Sequence, residues 1–545
     1  MKIVLAEKVS PATLAVFQQE AGWNVVTPDQ IAKKGPGGLA AELADADALV
    51  VRSAVQVDAA LLECAPKLRV IGRAGVGVDN IDTPAATHKG IVVMNTPGAN
   101  AVAVAELTLG LMITMARSIP RANATMHAGI WDKKSLQGSE LRGKIFGIVG
   151  LGRIGLEVAR RARSFGMDLI GYDPFVAPVI ARENGVTLVS IDDLFNSSDY
   201  ISLHVGLTPQ TEGLINAHSI AIMKKGVRII NCARGELIVD EALVAGLKSG
   251  HVGGAALDVF TKEPLKDSPY YELDNVILSP HIAGSTDEAQ EAIGIQLAQQ
   301  VRDYLKLGVV QNAVNVPSLS REEYVEVAPY VDLAERLGTF LAHATPGNLE
   351  NIQIAYSGRL AQGKTDLIRN ALLAGVLGDS ENVNHINAAS IAAERGIRLQ
   401  EDKKEFVSGG AGSVIKLTLH SAEGDATASA TVLHGNSPRL LSYDGIDIEA
   451  PLTGTLLSIR NQDVPGVIGR IGTILGEQQV NVANFALGRN IRSQRVPQGQ
   501  ALAVVQIDVP NATKAQTVVD ALRKVEAIVS VRAVELSSNL PKAQD

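Results

Sequence analysis

GKIFGIVGLGRIGLEVARRARSFGMDLIGYDP, residues Gly143 to Pro174, decides the fold. Its first seven residues read as a buried strand that ends in glycine. Gly150, Gly152 and Gly155 then form G-x-G-x-x-G. The first permits a tight turn, the second lets a pyrophosphate approach the backbone, and the third lets helix pack closely on strand. The helix is predicted to begin near Arg153, so its free N–H groups and positive dipole end face the phosphates. A second strand, DLIGYD, ends in Asp173. A carboxylate about twenty residues beyond the glycines accepts bonds from ribose hydroxyls and repels a 2′-phosphate. Pro174 follows rather than an arginine, so NAD is expected over NADP. A lone glycine motif is often only a turn; here strand, helix and acid accompany it.

The alternation continues. DYISLHV ends at Val205, GVRIINCAR at Arg234, GAALDVF at Phe260 and NVILSPH at His281, with helical stretches between. This predicts an α/β, doubly wound parallel sheet, in which ligands sit beyond the carboxyl ends of the strands. Arg234, Asp258, Glu263 and His281 all fall at or just after strand ends and are expected to converge on one crevice. Oxidation of an alcohol beside a carboxylate needs a base, a group that orients that base, and a planar grip on the carboxylate. Histidine, a second carboxylate and a guanidinium supply these. Each also has a structural reading: Arg234 as a helix cap before Gly235, Glu263 as a turn before Pro264, His281 as loop filler after Pro280.

GLGRIG, NCARGELIVD, ALDVFTKEPL and SPHIAGST resemble the D-isomer-specific 2-hydroxyacid dehydrogenases over roughly residues 1 to 315. The resemblance implies that Arg234 binds the substrate carboxylate, Glu263 pairs with His281, and His281 is the acid/base. It also implies NAD contacts from Arg153, Ile154, Asp173, Cys232 and Asp258, with Val205, Ala233, Ala283 and Gly284 lining the same site. The Cys232 thiol itself reads as a small buried side chain.

Residues 1–98 repeat strand and helix in KIVLAEK, ADALVVRS, LRVIGRAG and IVVMNTPG. The helix STDEAQEAIGIQLAQQVRDYL is expected to return to them. A flavodoxin-like substrate domain (1–98 and 285–315) would then enclose an inserted NAD domain (99–284), with the cleft where they meet. NAVAVAELTLGLMITMARSI contains Glu106 and Arg117, so it reads as a packed connecting helix and not a membrane span. The substrate domain offers Arg52 and Ser53 in VVRSA, Arg73, Gly75 and Val76 in GRAGVGVDN, and Asn100 at a helix start. The second glycine loop lacks the nucleotide spacing, so its N–H groups are assigned to a substrate carboxylate or phosphate. Two arginines suggest a second anionic group on the substrate. Lys133, in GIWDKKS, could add charge from a neighbouring subunit or be a plain surface lysine.

QNAVNVPSLSREEY reads as a linker. Beyond it, 318–450 is expected as an α+β domain: a helix from Tyr324 to Ala344, a strand NIQIAYSGRL, two helices, and two strands SVIKLTLHS and ATASATVLHG. VNHINAASIAAERGIRL resembles the intervening domain of the long phosphoglycerate dehydrogenases, which implies anion binding with Arg439 as a contact. Residues 453–545 read β-α-β-β-α-β, the ferredoxin-like plan. NQDVPGVIGRIGTIL and VNVANF resemble the ACT domain, which implies amino-acid binding with Asp463 taking an ammonium and Asn481 bridging. The bland alternative is an assembly sheet. The three resemblances together imply 3-phosphoglycerate as substrate, serine as effector and a homotetramer. The residues alone leave open another 2-hydroxy acid, such as glycerate or 2-hydroxyglutarate, or a non-catalytic serine sensor.

Composition bounds the rest. The chain has 545 residues, 46% hydrophobic and 20% charged, which suits about three to four well-cored domains. The net charge of −8 gives no reason to expect nucleic acid. Glu7 and Lys8 interrupt the first apolar run, so a signal peptide is not expected. Two cysteines, Cys64 and Cys232, have no metal spacing and fit a reducing cytoplasm. No metal is expected.

Overall fold

The computed structural model describes residues 1–545 except 318–320, 346, 364, 379–382, 405–411, 435, 490–495, 498 and 537–545. Residues 318–320 of the expected linker thus lie outside the described residues. The chain divides into two compact units: Met1–Lys8, Leu14–Asn95 and Leu297–Asp545 form the first, and Val9–Thr13 and Thr96–Gln296 the second.

The first unit opens with a five-stranded sheet of β1 (Lys2–Leu5), β2 (Asn24–Val26), β3 (Ala48–Val51), β4 (Val70–Arg73) and β5 (Val92–Met94). The order is β2-β1-β3-β4-β5, with every pair parallel. Its core is Val4, Leu49, Ile71 and Val93, all fully buried. Strand β2 escapes sequence reading because it is three residues long and buries only Val26.

The second unit carries β6 (Ile145–Val149), β7 (Asp168–Tyr172), β8 (Thr187–Leu188), β9 (Tyr200–Leu203), β10 (Val227–Asn231), β11 (Val252–Leu257) and β12 (Val276–Leu278). Their order is β12-β11-β10-β9-β6-β7-β8, all parallel. The order reverses between β6 and β9, the switch point where such sheets bind ligands. Helix Ala101–Arg117 buries Ala105, Leu109, Met112 and Ala116 in one core with Phe146, Val158 and Ala256. Among the described residues no single helix is long and apolar enough to cross a membrane.

The rest of the first unit holds two further sheets. The first contains β13 (Leu349–Gly358), β14 (Arg398–Lys404), β15 (Ser413–Ser421), β16 (Gly424–Leu433), β17 (Ser437–Tyr443) and β18 (Ile446–Pro451), ordered β14-β13-β15-β16-β17-β18. Three of these strands escape the sequence reading. β14, RLQEDKK, is exposed at every position and carries no apolar alternation. β17 and β18 are joined by a two-residue turn, Asp444 (φ +47°) and Gly445 (φ +78°), whose positive dihedrals are those of a tight hairpin. The second helix expected around 384–397 shrinks to Ala388–Glu394. The last sheet has β19 (Gly454–Gln462), β20 (Asn481–Arg489), β21 (Gln500–Asp508) and β22 (Ile528–Leu536), ordered β20-β21-β19-β22. One face packs Leu457, Ile459 and Val505 on the helices Val467–Glu477 and Ala512–Leu522. The other packs Leu456, Leu502, Val504 and Val534 into the core of the preceding domain, beside Phe340 and Ile446. That second face is therefore covered within the chain.

Candidate active site

The three glycines do different work. Gly150 has φ +93°, and a Cβ there would lie 2.6 Å from the His204 carbonyl oxygen. A Cβ on Gly155 would lie 2.0 Å from the Gly150 carbonyl oxygen, whereas one on Gly152 would meet nothing within 4 Å. The first and third are required by packing. The second keeps space open at the start of helix Arg153–Arg163, where N–H groups and dipole attract an anion. Ile154 is half-buried against the unit's core. The Arg153 guanidinium donates to the Pro97 carbonyl and lies against Gly98, whose φ is +83°. Asp173 has a part that its position alone does not reveal. Its Oδ2 accepts from the Leu151 N–H at 2.8 Å, and its Oδ1 from Phe175 and Val176 N–H at 2.8 and 3.2 Å. The carboxylate thus pins the glycine loop and leaves about one of its roughly four lone-pair sites for a ribose hydroxyl.

Burial shifts two groups that follow β9 and β10. The His204 Nε2 lies 2.8 Å from Ser202 Oγ, and burial pushes the imidazole pKa down to about 4. It is a neutral packing residue between β9 and Val205, a position sequence reading did not single out. Burial pushes the Cys232 thiol up to about 12, opposed in part by a bond to Thr108. A thiol held protonated is no nucleophile, which fits a small buried side chain.

Glu263 and His281 are brought together by two loops. His281 Nδ1 lies 2.7 Å from Glu263 Oε2, and Glu263 Oε1 accepts the Phe260 N–H at 3.0 Å. The imidazole is half-exposed, at 52%, so with Nδ1 occupied by the carboxylate its Nε2 is the nitrogen open for proton exchange. His281 has φ +54°, an uncommon conformation for a residue with a Cβ and one typical of functional sites. Asp258 holds it there. Its carbonyl accepts the His281 N–H at 2.8 Å. Its fully buried carboxylate accepts Ser279 Oγ (2.6 Å) and the N–H groups of Ile282 (2.9 Å) and Ala283 (2.8 Å). Asp258, expected at the cofactor, is thus mostly committed to the 279–283 loop.

Arg234 emerges from a turn at the end of β10. Asn231, fully buried, donates from Nδ2 to the Arg234 carbonyl (2.7 Å) and accepts the Ala233 N–H (3.0 Å). The guanidinium donates to the Ala233 carbonyl at 2.7 Å. A Cβ on Gly235 would lie 2.0 Å from the Phe260 carbonyl carbon, so this turn abuts the segment that carries Glu263. Asn231 gave no signal in sequence beyond preceding the C-A-R-G run. Asn100 also lies in this unit: a Cβ on Gly284 would sit 3.2 Å from its Nδ2, and its buried Oδ1 has no partner among the described residues. The open Gly152 and the start of helix Arg153–Arg163 make a surface that fits a dinucleotide. Lys133 is exposed, in a segment whose Trp131 is also exposed.

The first unit brings its own candidates to the carboxyl ends of adjacent strands. Arg52 and Ser53 follow β3; Arg73 ends β4, ahead of Gly75 and Val76. Glu7, not foreseen, collects the N–H groups of Arg52, Ala54 and Val55 at 2.9, 3.3 and 3.1 Å. The Arg73 guanidinium donates to the Ala74 carbonyl at 3.0 Å. It lies across Gly75, where a Cβ would fall 1.5 Å from its Nη1. Asn95 donates to the Val76 carbonyl at 2.5 Å.

In the last sheet the two expected residues lie apart. Asp463 follows β19 and is gripped by Arg489 through bonds of 2.9, 3.1 and 3.2 Å. Asn481 opens β20 and donates to Asp508 Oδ2 at 2.8 Å. Arg489 ends β20, opposite Ala501, while Asn481 faces Asp508. Eight residues of strand separate the two positions by about 26 Å, so Asp463 and Asn481 of one chain cannot touch one small ligand. Arg439 sits within β17, paired to Thr431 and Pro451.

Comparison with known proteins follows this division. Residues 109–283 match the D-isomer specific 2-hydroxyacid dehydrogenase NAD binding domain. Residues 326–444 match the D-3-phosphoglycerate dehydrogenase intervening domain, and 455–527 the ACT domain. The chain is 42% identical over 498 residues to D-3-phosphoglycerate dehydrogenase of Methanocaldococcus jannaschii, covering 91% of this chain and 93% of that one. It is 38% identical to the Bacillus subtilis D-3-phosphoglycerate dehydrogenase over 93% and 95% of the two chains. Among solved structures, a protein from Thermus thermophilus aligns with a TM-score of 0.52 at 32% identity, over 58% of this chain and 100% of that one. A glyoxylate reductase from Paecilomyes thermophila aligns with 0.51 at 30%, over 58% and 98%.

Proposed function

The chain belongs to the D-3-phosphoglycerate dehydrogenase family, and on that footing we propose that it oxidises 3-phosphoglycerate to 3-phosphohydroxypyruvate, the first step toward L-serine. NAD, bound by the second unit, supplies the hydride acceptor. His281 Nε2 takes the hydroxyl proton, which leaves the alcohol carbon free to release its hydride. Glu263, 2.7 Å from Nδ1, fixes the ring and stabilises the imidazolium as it forms. Arg234 holds the substrate carboxylate by a two-point grip. Arg52, Arg73 and the Gly75–Val76 loop receive the phosphate, with Ser53, Asn100 and Lys133 as further substrate contacts. The start of helix Arg153–Arg163 receives the pyrophosphate, and the remaining oxygen site of Asp173 the ribose.

The observation that carries this reading is the Glu263–His281 bond, set on a loop braced by the turn that presents Arg234. The test is a steady-state assay of the purified protein with NAD and 3-phosphoglycerate, with and without serine. Turnover of 3-phosphoglycerate well above that of glycerate and 2-hydroxyglutarate is expected. Equal turnover of all three would refute the substrate assignment.

We also infer regulation by serine through the ACT domain, assembly as a homotetramer and a cytoplasmic setting. An ammonium at Asp463 has to compete with Arg489, and a ligand that uses both Asp463 and Asn481 has to be shared by two copies of the chain. That requirement ties the effector to assembly. Inhibition by millimolar serine, lost on Asp463→Asn, is the expected result; no binding at that concentration leaves the domain as an assembly module.

A further inference from the structure

The string VNHINAASIAAERGI has no part in the chemistry above, yet it bonds the intervening domain to the loop that leads into β5. Asn384 donates to the Gly90 carbonyl at 3.0 Å and Asn387 to the His88 carbonyl at 3.1 Å. Asn387 is fully buried. Each asparagine is itself braced: Asn387 Oδ1 accepts the Asn384 N–H at 2.8 Å, and Asn384 Oδ1 accepts the Ile386 N–H at 2.9 Å. Gly90 has φ +70°, and a Cβ on it would fall 2.1 Å from Asn384 Nδ2. The clamp therefore grips main chain directly, two residues before β5 begins at Val92.

The covalent link to the intervening domain meets the same strand. The Val314 N–H donates to the Val93 carbonyl at 2.9 Å, the Asn95 N–H to the Asn312 carbonyl at 3.2 Å, and Met94 bridges Ala313. Asn315 accepts the Val93 N–H (2.9 Å) and donates to Thr87 Oγ1 (3.0 Å) and the Ile91 carbonyl (2.8 Å). The segment expected to be a plain linker thus pairs with β5, which would otherwise be an open sheet edge. At its far end β5 leads into Asn95, whose side chain holds the Val76 carbonyl at 2.5 Å.

We propose that the intervening domain controls substrate affinity through β5, with Asn384 and Asn387 as the clamp and Asn95 as the positioning residue for the Gly75–Val76 loop. The proposal rests on the reading of that loop as a site for the substrate's anionic group. Its physical basis is a short strand gripped at one end by the regulatory domain and bonded at the other to the loop, with hydrogen-bonded backbone between.

The test uses the full-length enzyme. Asn384→Asp keeps the acceptor for the Ile386 N–H, removes the donor and sets an anionic oxygen against the Gly90 carbonyl; Asn384→Ser is the uncharged substitute should the first variant not fold. Asn95→Ala is expected to raise KM for 3-phosphoglycerate about fivefold, the usual worth of one neutral hydrogen bond. The kcat should stay within about twofold on the same scale, and KM for NAD should not move. Asn384→Asp should raise the same KM about threefold alone but add little in the Asn95→Ala background, as members of one network do. Multiplied effects would overturn the path. Hydrogen exchange without substrate reads the link separately: in Asn384→Asp, amides 75–78 should exchange about fivefold faster. Unchanged exchange overturns the link itself. Faster exchange with an unchanged KM overturns the substrate reading of the loop.

Discussion

Gly235→Ala tests how the acid/base pair is held. The added Cβ would lie 2.0 Å from the Phe260 carbonyl carbon and 2.3 Å from the Thr261 nitrogen. Real Cβ contacts essentially never fall below 3.0 Å, so the two backbone segments must part by about 1 Å, the scale that matters in a catalytic site. Both segments are main chain, and neither can yield by rotating a side chain. The 260–263 segment carries Glu263, which is anchored to the Phe260 N–H at 3.0 Å and to His281 at 2.7 Å. A shift of that size stretches the second bond beyond hydrogen-bond range, or else displaces Arg234. A misplacement of about 1 Å in a catalytic constellation costs on the order of a hundredfold in rate. The expected result is a fall in kcat/KM for 3-phosphoglycerate of roughly a hundredfold. Steady-state kinetics, NAD titration by fluorescence and a thermal melt on the same preparation separate this from unfolding. A folded Gly235→Ala enzyme with near-normal kcat/KM would refute the claim that the turn braces the Glu263 loop.

Three further outcomes follow from the same geometry. His281→Ala should lower turnover by about a hundredfold or more, the usual share of general acid–base catalysis, while NAD still binds; near-normal turnover removes the assignment. Asp173→Ala combined with Pro174→Arg should narrow the preference for NAD over NADP in competing kcat/KM measurements, and a native enzyme indifferent to the two cofactors would contradict the reading of Asp173. His204 has a folded pKa of about 4 against an ordinary 6.5, so the folded state favours its neutral form. Its contribution to stability is complete above pH 6.5 and is lost as pH falls from 6.5 toward 4, on the order of 3 kcal/mol in all. Urea midpoints of His204→Gln should fall less steeply than the native ones across that window; parallel curves would show that the histidine is not held neutral.

What could be read in the sequence shares one property: its cause is local. Gly150, Gly152 and Gly155 announce a strand–turn–helix because their spacing is set by one turn of backbone. Arg234, Glu263 and His281 were legible because each closes an apolar run, and parallel strands deliver their carboxyl ends to one edge. Two of the missed strands lack that local signature, whereas β17 and β18 carry alternation and an Asp-Gly turn that the reading passed over. β14 presents seven exposed positions, and β2 is too short to show a period. The resemblance to the ACT domain placed Asp463 and Asn481 in one family pattern, but only register shows them at opposite ends of the sheet.

The residues that hold the site in shape were hidden for a different reason. Asp258 reaches Ser279, Ile282 and Ala283 across 21 to 25 residues, and Asn384 and Asn387 reach Gly90 and His88 across 294 and 299. Each bonds main-chain groups, which any residue possesses, so nothing at the receiving end marks the contact. A buried asparagine read alone looks like a turn or a cap. Its cost is visible only in the fold, because a buried amide left without partners is penalised by about 1–3 kcal/mol. Asn387, with no exposure, divides its amide between Asn384 of its own motif and the His88 carbonyl of the first sheet. The clamp is therefore conditional on how the two domains are docked. A motif with no catalytic chemistry and an obligate distant partner is what a coupling element between domains has to be.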